Sequence, residues 1–368
     1  MAAVNTSNTT VVDQRPKISG FKQQTLPAWQ PILHGRAVFP LFLIVGAVFI
    51  PFGSVLLMIS EKVKEFRYDY THCVNLDLPN TTCAEFLQNV NNTGKVCHCS
   101  ITVELERFES PVFIYYGLAN YFQNHRRYVR SRDDDQLYGL SIPPGNLRSL
   151  CEPYRTVTIN ESQVLGYAPC GAIANSIFND TFSLYYLNTI PVGLLKTGIA
   201  WTTDKRNRFN NPPSWKYYTK PQNWERPVWD LDPQQEDNNG YLNEDLIVWM
   251  RTAALPYFRK FYRRVDHHSS LQFMYGLPAG IYNISIEYKY PVISFGGKKR
   301  IFISTTSILG GKNSFLGSAY ITVGILNFIV GILFLINLIW TQRNKDGQAR
   351  QCASVVKIRM SGEWPAMS

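Results

Sequence analysis

The chain has 368 residues, with 37 Lys+Arg against 27 Asp+Glu and a net charge of +10 at pH 7. With 45% hydrophobic and 17% charged residues it is neither a polytopic helix bundle nor a disordered chain. The basic residues are scattered rather than gathered into a patch, which argues against a nucleic-acid partner and for a solvated face or a membrane surface.

Residues 1–36 read as a polar N-terminal tail. Residues 37–59 hold no charged residue and are about as long as a helix needs to cross ~30 Å of hydrocarbon. The segment starts late and exceeds the roughly 7–15 apolar residues of a cleaved signal, so it reads as an uncleaved anchor. Residues 60–315 form a large loop able to bury its own core. Residues 316–340 are a second uncharged membrane span, and 341–368 a short tail. Two spans put both termini on one side. Lys22 and Arg36 precede the first span and Lys62, Lys64 and Arg67 follow it; Lys312 and Arg343 flank the second. This symmetry leaves the positive-inside rule without a vote.

Cysteines and sequons orient the loop instead. Six of the seven cysteines lie in it: Cys73, Cys83, Cys97, Cys99, Cys151 and Cys170. An even set points to three disulfides in an oxidising compartment, with 15 pairings open from sequence alone. Asn-x-Ser/Thr sequons at Asn80, Asn91, Asn160, Asn179 and Asn283 share the same loop, which is expected to be lumenal or extracellular. Sequons at Asn5 and Asn8 would then be cytosolic and silent. Cys97-His98-Cys99 is too tight for an ordinary zinc pair, so no metal is expected. Cys352 in the C-terminal tail reads as a free thiol.

Within the loop, Ile101 to Glu106 alternates apolar and polar residues, the period of a half-buried strand. So does Tyr282 to Val292, with Tyr282, Ile284, Ile286, Tyr288 and Tyr290 inward and Asn283 outward. Ile301 to Ile308 reads as a third strand. Asn243 caps a helix whose first turn carries Glu244 and Asp245. It is expected to run through Ala253, be ended or kinked at Pro256, and have a basic continuation at Arg259, Lys260, Arg263 and Arg264. Frequent prolines and glycines favour short strands and long connections.

Both spans carry glycine at intervals of seven: Gly46 and Gly53, then Gly317, Gly324 and Gly331. On a helix these fall along one stripe, which Asn327, three residues past Gly324 and four before Gly331, is expected to join. Small residues let helices approach closely in lipid, and an amide can bond across the contact, so this face is expected to pack against another helix. Catalytic patterns are missing: there is no Gly-x-Ser-x-Gly and no His-Glu-x-x-His. Asp237-Asn238-Asn239-Gly240 lacks carboxylates where a calcium loop needs them and reads as a turn. Asp133-Asp134-Asp135 reads as a solvated charged loop. His125, His267 and His268 show no evident partners.

Four blocks carry a family resemblance. They are Asn124-His125-Arg126-Arg127-Tyr128 with Ser131-Arg132-Asp133-Asp134, and Ala168-Pro169-Cys170-Gly171 through Asn179-Asp180. The others are Asn243-Glu244-Asp245 through Pro256, and Gly310-Gly311-Lys312-Asn313. Together they closely resemble the cell cycle control protein 50 family (transmembrane protein 30 family), the accessory β subunits of type-IV P-type ATPase phospholipid flippases. The resemblance covers about Phe21 to Tyr320. It implies two membrane α-helices plus a large, mainly antiparallel-β ectodomain with short helices. It implies disulfides Cys73–Cys99, Cys83–Cys97 and Cys151–Cys170, and glycosylation at Asn179. It implies a heterodimer with the ATPase catalytic subunit, contact with membrane lipids, no cofactor and no catalytic residues. The expected role is folding, export from the endoplasmic reticulum and activity of that subunit in aminophospholipid translocation. The expected locations are endoplasmic reticulum, Golgi, secretory vesicles and plasma membrane. Departures from the family pattern are Trp201-Thr202 in place of two tryptophans, Ile308 in place of Trp, and Ser314 in place of Pro. The runner-up reading is a two-span ligand-gated ion channel subunit, which shares the topology but usually has more than three disulfides, and these spans hold no charge to line a pore.

Overall fold

The fold is that of a computed structural model, which describes residues 19–22, 24–27, 35–92, 94–160 and 163–361; the side chains of 160 and 354–361 are outside the description. The sequons at Asn5 and Asn8 therefore lie outside the described residues. The chain divides into two compact units. One holds the two long helices; the other, residues 55–316, holds the sheets.

Helix α1 spans Gly35–Glu61, with Pro40 and Pro51 inside it. Helix α8 spans Ser314–Ser361. Both are long and apolar enough to cross a membrane, and only 11% of the apolar window of each is buried within the molecule. The core helix of a soluble domain would be mostly covered; these present their apolar surface outward, so the chain is a membrane protein. α8 outruns the 316–340 segment because its charged continuation, Arg343 to Arg350, keeps a helical pattern beyond the hydrocarbon length. Trp340 sits exposed at the end of the apolar stretch, where amphipathic rings favour the membrane interface.

The central unit is built on two main antiparallel sheets. The first has the order β1-β14-β4-β11-β9, from β1 (Glu65–Asp69), β14 (Lys298–Thr305), β4 (Val112–Ala119), β11 (Phe258–Val265) and β9 (Leu194–Leu195). The second has the order β2-β13-β7-β8, from β2 (Cys97–Leu105), β13 (Gly280–Tyr288), β7 (Thr181–Tyr186) and β8 (Ile190–Pro191). A ribbon of β3 (Phe108–Glu109) with β12 (Gly276–Leu277) accompanies them. A third sheet joins β5 (Thr156–Asn160), β6 (Gln163–Tyr167) and β10 (Tyr218–Thr219), the last pairing parallel.

Alternation explains the pairing. In β2 the inward residues are Cys97, Cys99, Ile101, Val103 and Leu105; in β13 they are Tyr282, Ile284, Ile286 and Tyr288. The two strands align over nine residues, Gly280 opposite Leu105 to Tyr288 opposite Cys97. Inward side chains of both sheets merge into one core. Phe182 of β7 meets Tyr262 of β11 edge to face at 5.0 Å, a geometry the ring quadrupoles favour.

Short helices fill the connections: α2 (Cys83–Gln88), α3 (Arg126–Arg130), α4 (Asp134–Leu137), α5 (Ala172–Asn175), α6 (Thr202–Asn207) and α7 (Glu244–Met250). Three sequence expectations need correction here. α7 starts at the Asn243 cap, whose side chain accepts from Leu246 N–H at 3.1 Å, but it ends at Met250. The basic stretch beyond is strand β11, not helix, because Phe258, Lys260 and Tyr262 alternate and a bulge between Phe261 and Arg263 then turns Arg263 inward too. The strand expected at 301–308 runs Lys298–Thr305 instead. Ile308 lies in the turn after it, where Ser307 and Gly310 bond across to each other instead of to a neighbouring strand. Asp133 is buried rather than solvated. Its carboxylate accepts from the N–H groups of Asp135, Gln136 and Arg148 at 3.1, 3.2 and 2.9 Å, capping α4.

Candidate functional site

Three features of the molecule bear on function: the helix pair, the cross-linked sheet edge and the polar groups sealed inside the central unit.

α1 and α8 run antiparallel and meet through their glycines. A Cβ built on Gly46 would lie 2.9 Å from Gly324 O, and one on Gly53 2.8 Å from Gly317 O. On Gly324 it would meet Ile50 Cγ1 at 2.8 Å, and on Gly331 Leu43 Cδ2 at 2.9 Å. Any larger residue at these points pushes the backbones apart. Rings fill the rest of the seam: Phe49 and Phe52 both lie edge-on to Tyr320, at 5.2 and 5.1 Å, and Phe42 stacks near Phe334. Asn327 does not bridge the seam. Its Nδ2 donates to Val323 O of its own helix at 2.7 Å. Three residues advance a helix by ~300°, so Asn327 stands ~60° off the glycine line, and its amide bonds back to the carbonyl four residues earlier, which the backbone also uses.

The disulfides follow from the strands. Cys97 and Cys99 are two apart on β2, so both point inward. Cys99 bonds Cys73 and Cys97 bonds Cys83. Cys83 is delivered by the first turn of α2, where Thr82 and Glu85 form a reciprocal capping box. Cys151 bonds Cys170, at the centre of a small second core with Leu147 and Tyr167. The sulfurs of Cys73, Cys83 and Cys99 come within 4.8 Å of one another, but all three are oxidised and leave no thiolate for a metal. Cys352 is free and exposed.

Inside the central unit lies an ion pair with no solvent access: Lys299 and Asp180 are both 0% exposed, with Nζ 2.5 Å from Oδ2. The same Oδ2 accepts from Tyr70 OH at 2.9 Å, and Oδ1 accepts from the N–H groups of Lys289 and Tyr290 at 2.7 Å each. Lys299 also donates to Tyr290 O at 2.8 Å and lies against the Tyr288 ring. Burial pushes its ammonium down to about 7, against the pull of Asp180. Burial, then Asp180, holds the Tyr70 phenol far above its usual range. Every polar atom of the pair has a partner, which is what makes such a buried pair tolerable. Lys260 is a second sealed cation, donating to the carbonyls of Val248, Trp249 and Arg251 at 2.9, 3.0 and 2.5 Å. Those groups close the C-terminal end of α7, where a cation suits the helix dipole; burial again pushes the amine down to about 7, with Arg251 adding to it. At the opposite end of α7, Glu244 accepts from Ile199 N–H, Ala200 N–H and Lys205 at 2.7, 2.9 and 2.8 Å. Burial raises its carboxyl and these donors more than reverse that, leaving it lowered.

The sequons fall on the same unit. Asn80 and Asn91 are exposed, and Asn179 and Asn283 are partly exposed. Asn283 Oδ1 accepts from Ser100 Oγ at 2.7 Å on the outer face of the sheet. Asn179 borders a cleft of about 290 Å³ that also touches Lys196, Trp224, Arg226 and Asp245; its buried Oδ1 has no hydrogen-bond partner among the described residues. Asn160 ends β5, with its side chain outside the described residues. His267, expected to lack partners, has two: Nε2 accepts from Val112 N–H at 3.2 Å, so Nδ1 carries the proton and donates to Phe273 O at 2.7 Å. Its ring is a main-chain clamp rather than a general base. Sequence reasoning missed Lys299, Lys260, Asp133 and His267, because each is defined by a partner that only the fold supplies.

The molecule thus combines two long apolar helices with a disulfide-stapled β domain in which Lys299, Asp180, Lys260 and Glu244 are spent on structure. The model of the LEM3 (ligand-effect modulator 3) family / CDC50 family matches residues 56–344. The chain belongs to this family. It is 48% identical to mouse "Cell cycle control protein 50A" over 338 residues, 88% of this chain and 89% of that one. Human "Cell cycle control protein 50B" is 42% identical over 350 residues, 90% and 96% of the two chains. The plant relative "ALA-interacting subunit 3" of Arabidopsis thaliana is 41% identical over 327 residues, 88% and 86% of the two. The family model thus spans the whole β domain and the apolar segment of α8.

Proposed function

We propose that this CDC50-family chain is the accessory β subunit of a type-IV P-type ATPase phospholipid flippase. It would form a heterodimer with the catalytic subunit and support its folding, its export from the endoplasmic reticulum and its aminophospholipid translocation. The observation that carries this reading is similarity along nearly the whole chain to family members, one of them named as an interacting subunit. The architecture supports a non-catalytic role: Lys299, Asp180, Lys260 and Glu244 are paired inside the fold, and the helices meet through close-packed glycines. A chain that binds the folded ATPase and not its unfolded form raises the native population by mass action. In this reading residues 1–36 and 341–368 are cytosolic, and the central unit faces the lumen or cell exterior, with glycans at Asn80, Asn91, Asn160, Asn179 and Asn283. The complex would pass through endoplasmic reticulum, Golgi and secretory vesicles to the plasma membrane.

Co-expression with candidate ATPase catalytic subunits tests it. The expected result is co-purification in mild detergent and ATPase exit from the endoplasmic reticulum only when this chain is present. An ATPase that folds and leaves unaided, with no partner recovered on this chain, contradicts it.

A further inference from the structure

We propose that the turn Ser307–Gly310 is an interfacial anchor that seats Ile308 and Leu309 in the headgroup region of a phospholipid bilayer.

The turn is held in shape. Ser307 N–H donates to Gly310 O and Gly310 N–H to Ser307 O, at 2.8 and 2.9 Å, and Leu309 N–H donates to Ser307 Oγ at 3.2 Å. Its two apolar side chains nonetheless face outward: Ile308 is 101% exposed and Leu309 55%. These hydrogen bonds fix a turn that displays two adjacent apolar side chains at its tip.

Both bases of the turn are tied to the end of α1. On one side, Thr305 N–H donates to Lys64 O at 3.0 Å, and Lys64 N–H to Thr305 Oγ1 at 3.0 Å; Lys64 is three residues past the end of α1 at Glu61. On the other side, Asn313 N–H donates to Ser60 Oγ at 2.9 Å, one residue before α8 begins. Arg259, paired with Glu65, packs against Gly311 in the segment that returns from the turn. From either tie the tip is four residues away, a reach of at most about 14 Å. The polar layer of a bilayer face is roughly 5–8 Å deep, so the tip lies within reach of the layer where both apolar segments end. Lys62, Lys64 and Lys312 are exposed around the same ties. Ammonium groups beside an apolar tip match the phosphates that lie above the acyl chains.

The test uses the full chain with Cys352→Ser, carrying Ile308→Cys labelled with an environment-sensitive fluorophore, in nanodiscs of phosphatidylcholine and phosphatidylserine without any ATPase. Leu271→Cys, at an 86% exposed position, is the aqueous control. The expected result is several-fold weaker quenching by iodide at position 308 than at 271. Quenching by doxyl groups attached near the lipid headgroup should occur at 308 alone. Equal iodide access at both positions, with no doxyl quenching, overturns the proposal. Protection from iodide without doxyl quenching also overturns it, since the tip is then covered by protein.

Discussion

The central β domain and the helix pair solve opposite problems. The domain closes on itself: three disulfides, a shared two-sheet core, and ions such as Lys299 and Asp180 matched atom for atom. The helix pair closes along one seam only. Leu41, Ile44, Val48 and Met58 of α1, and Val323, Leu326, Leu333 and Ile336 of α8, stay exposed. The difference shows where dependence on surroundings lies. The domain carries its own stability, whereas the helices need hydrocarbon or another helix to cover what they leave bare.

The sharpest way to break that contrast is to open the domain from inside. Asp180→Ala strands the Lys299 ammonium in the core and should cost about 3–5 kcal/mol, read by chemical denaturation of the full chain in detergent. Asp134→Ala, at an exposed pair with Arg132, should cost under about 1 kcal/mol. Equal effects would mean that the buried pair is not the keystone it looks to be. Next, replacing both Cys83 and Cys97 with Ser opens a loop of 14 residues and should cost about 3 kcal/mol, while leaving helix pairing untouched.

The helix seam should respond to different changes. Gly324→Leu forces side chain into the Ile50 backbone and should weaken the α1–α8 contact by about 1–3 kcal/mol, measured by cysteine cross-linking across the seam. Asn327→Leu should change the same cross-link little, because its amide bonds within α8. A strong Asn327 effect would show that the amide works across the seam after all.

The remaining expected effect is a pH dependence confined to the domain. Burial holds Lys260 and Lys299 down to about 7, whereas an unfolded lysine stays protonated to about 10.4. Between those values the unfolded state binds more protons. These lysines therefore make the fold more stable as pH rises from 7, by at most about 1.4 kcal/mol per pH unit each, and contribute no such gain below 7. Denaturation midpoints at pH 7 and 9 check the sign, and Lys260→Met should flatten the slope.

Much of this division was legible in the sequence. Uncharged spans, glycines every seven residues and the alternation in β2 and β13 are local signals, set by helix and strand periods. What failed were features made by distant partners. Arg259, Lys260, Arg263 and Arg264 are spaced like a helix face, yet they lie on β11, where a bulge turns Arg263 inward beside Lys260. Lys299 looks like a surface residue until Asp180, 119 positions away, is brought to it. Asp133 reads as one of three solvated acids until Arg148 offers its N–H. The helix seam was visible because a missing side chain is written in the sequence; the use Asn327 makes of its amide was not.

The central claim is that this chain completes another protein rather than acting alone, and native mass spectrometry of the complex purified through this chain tests it most directly. One copy of this 42.1 kDa chain bound to one P-type ATPase catalytic subunit is the predicted result. Three copies of the chain with no second protein, the stoichiometry of a two-span channel, would contradict it.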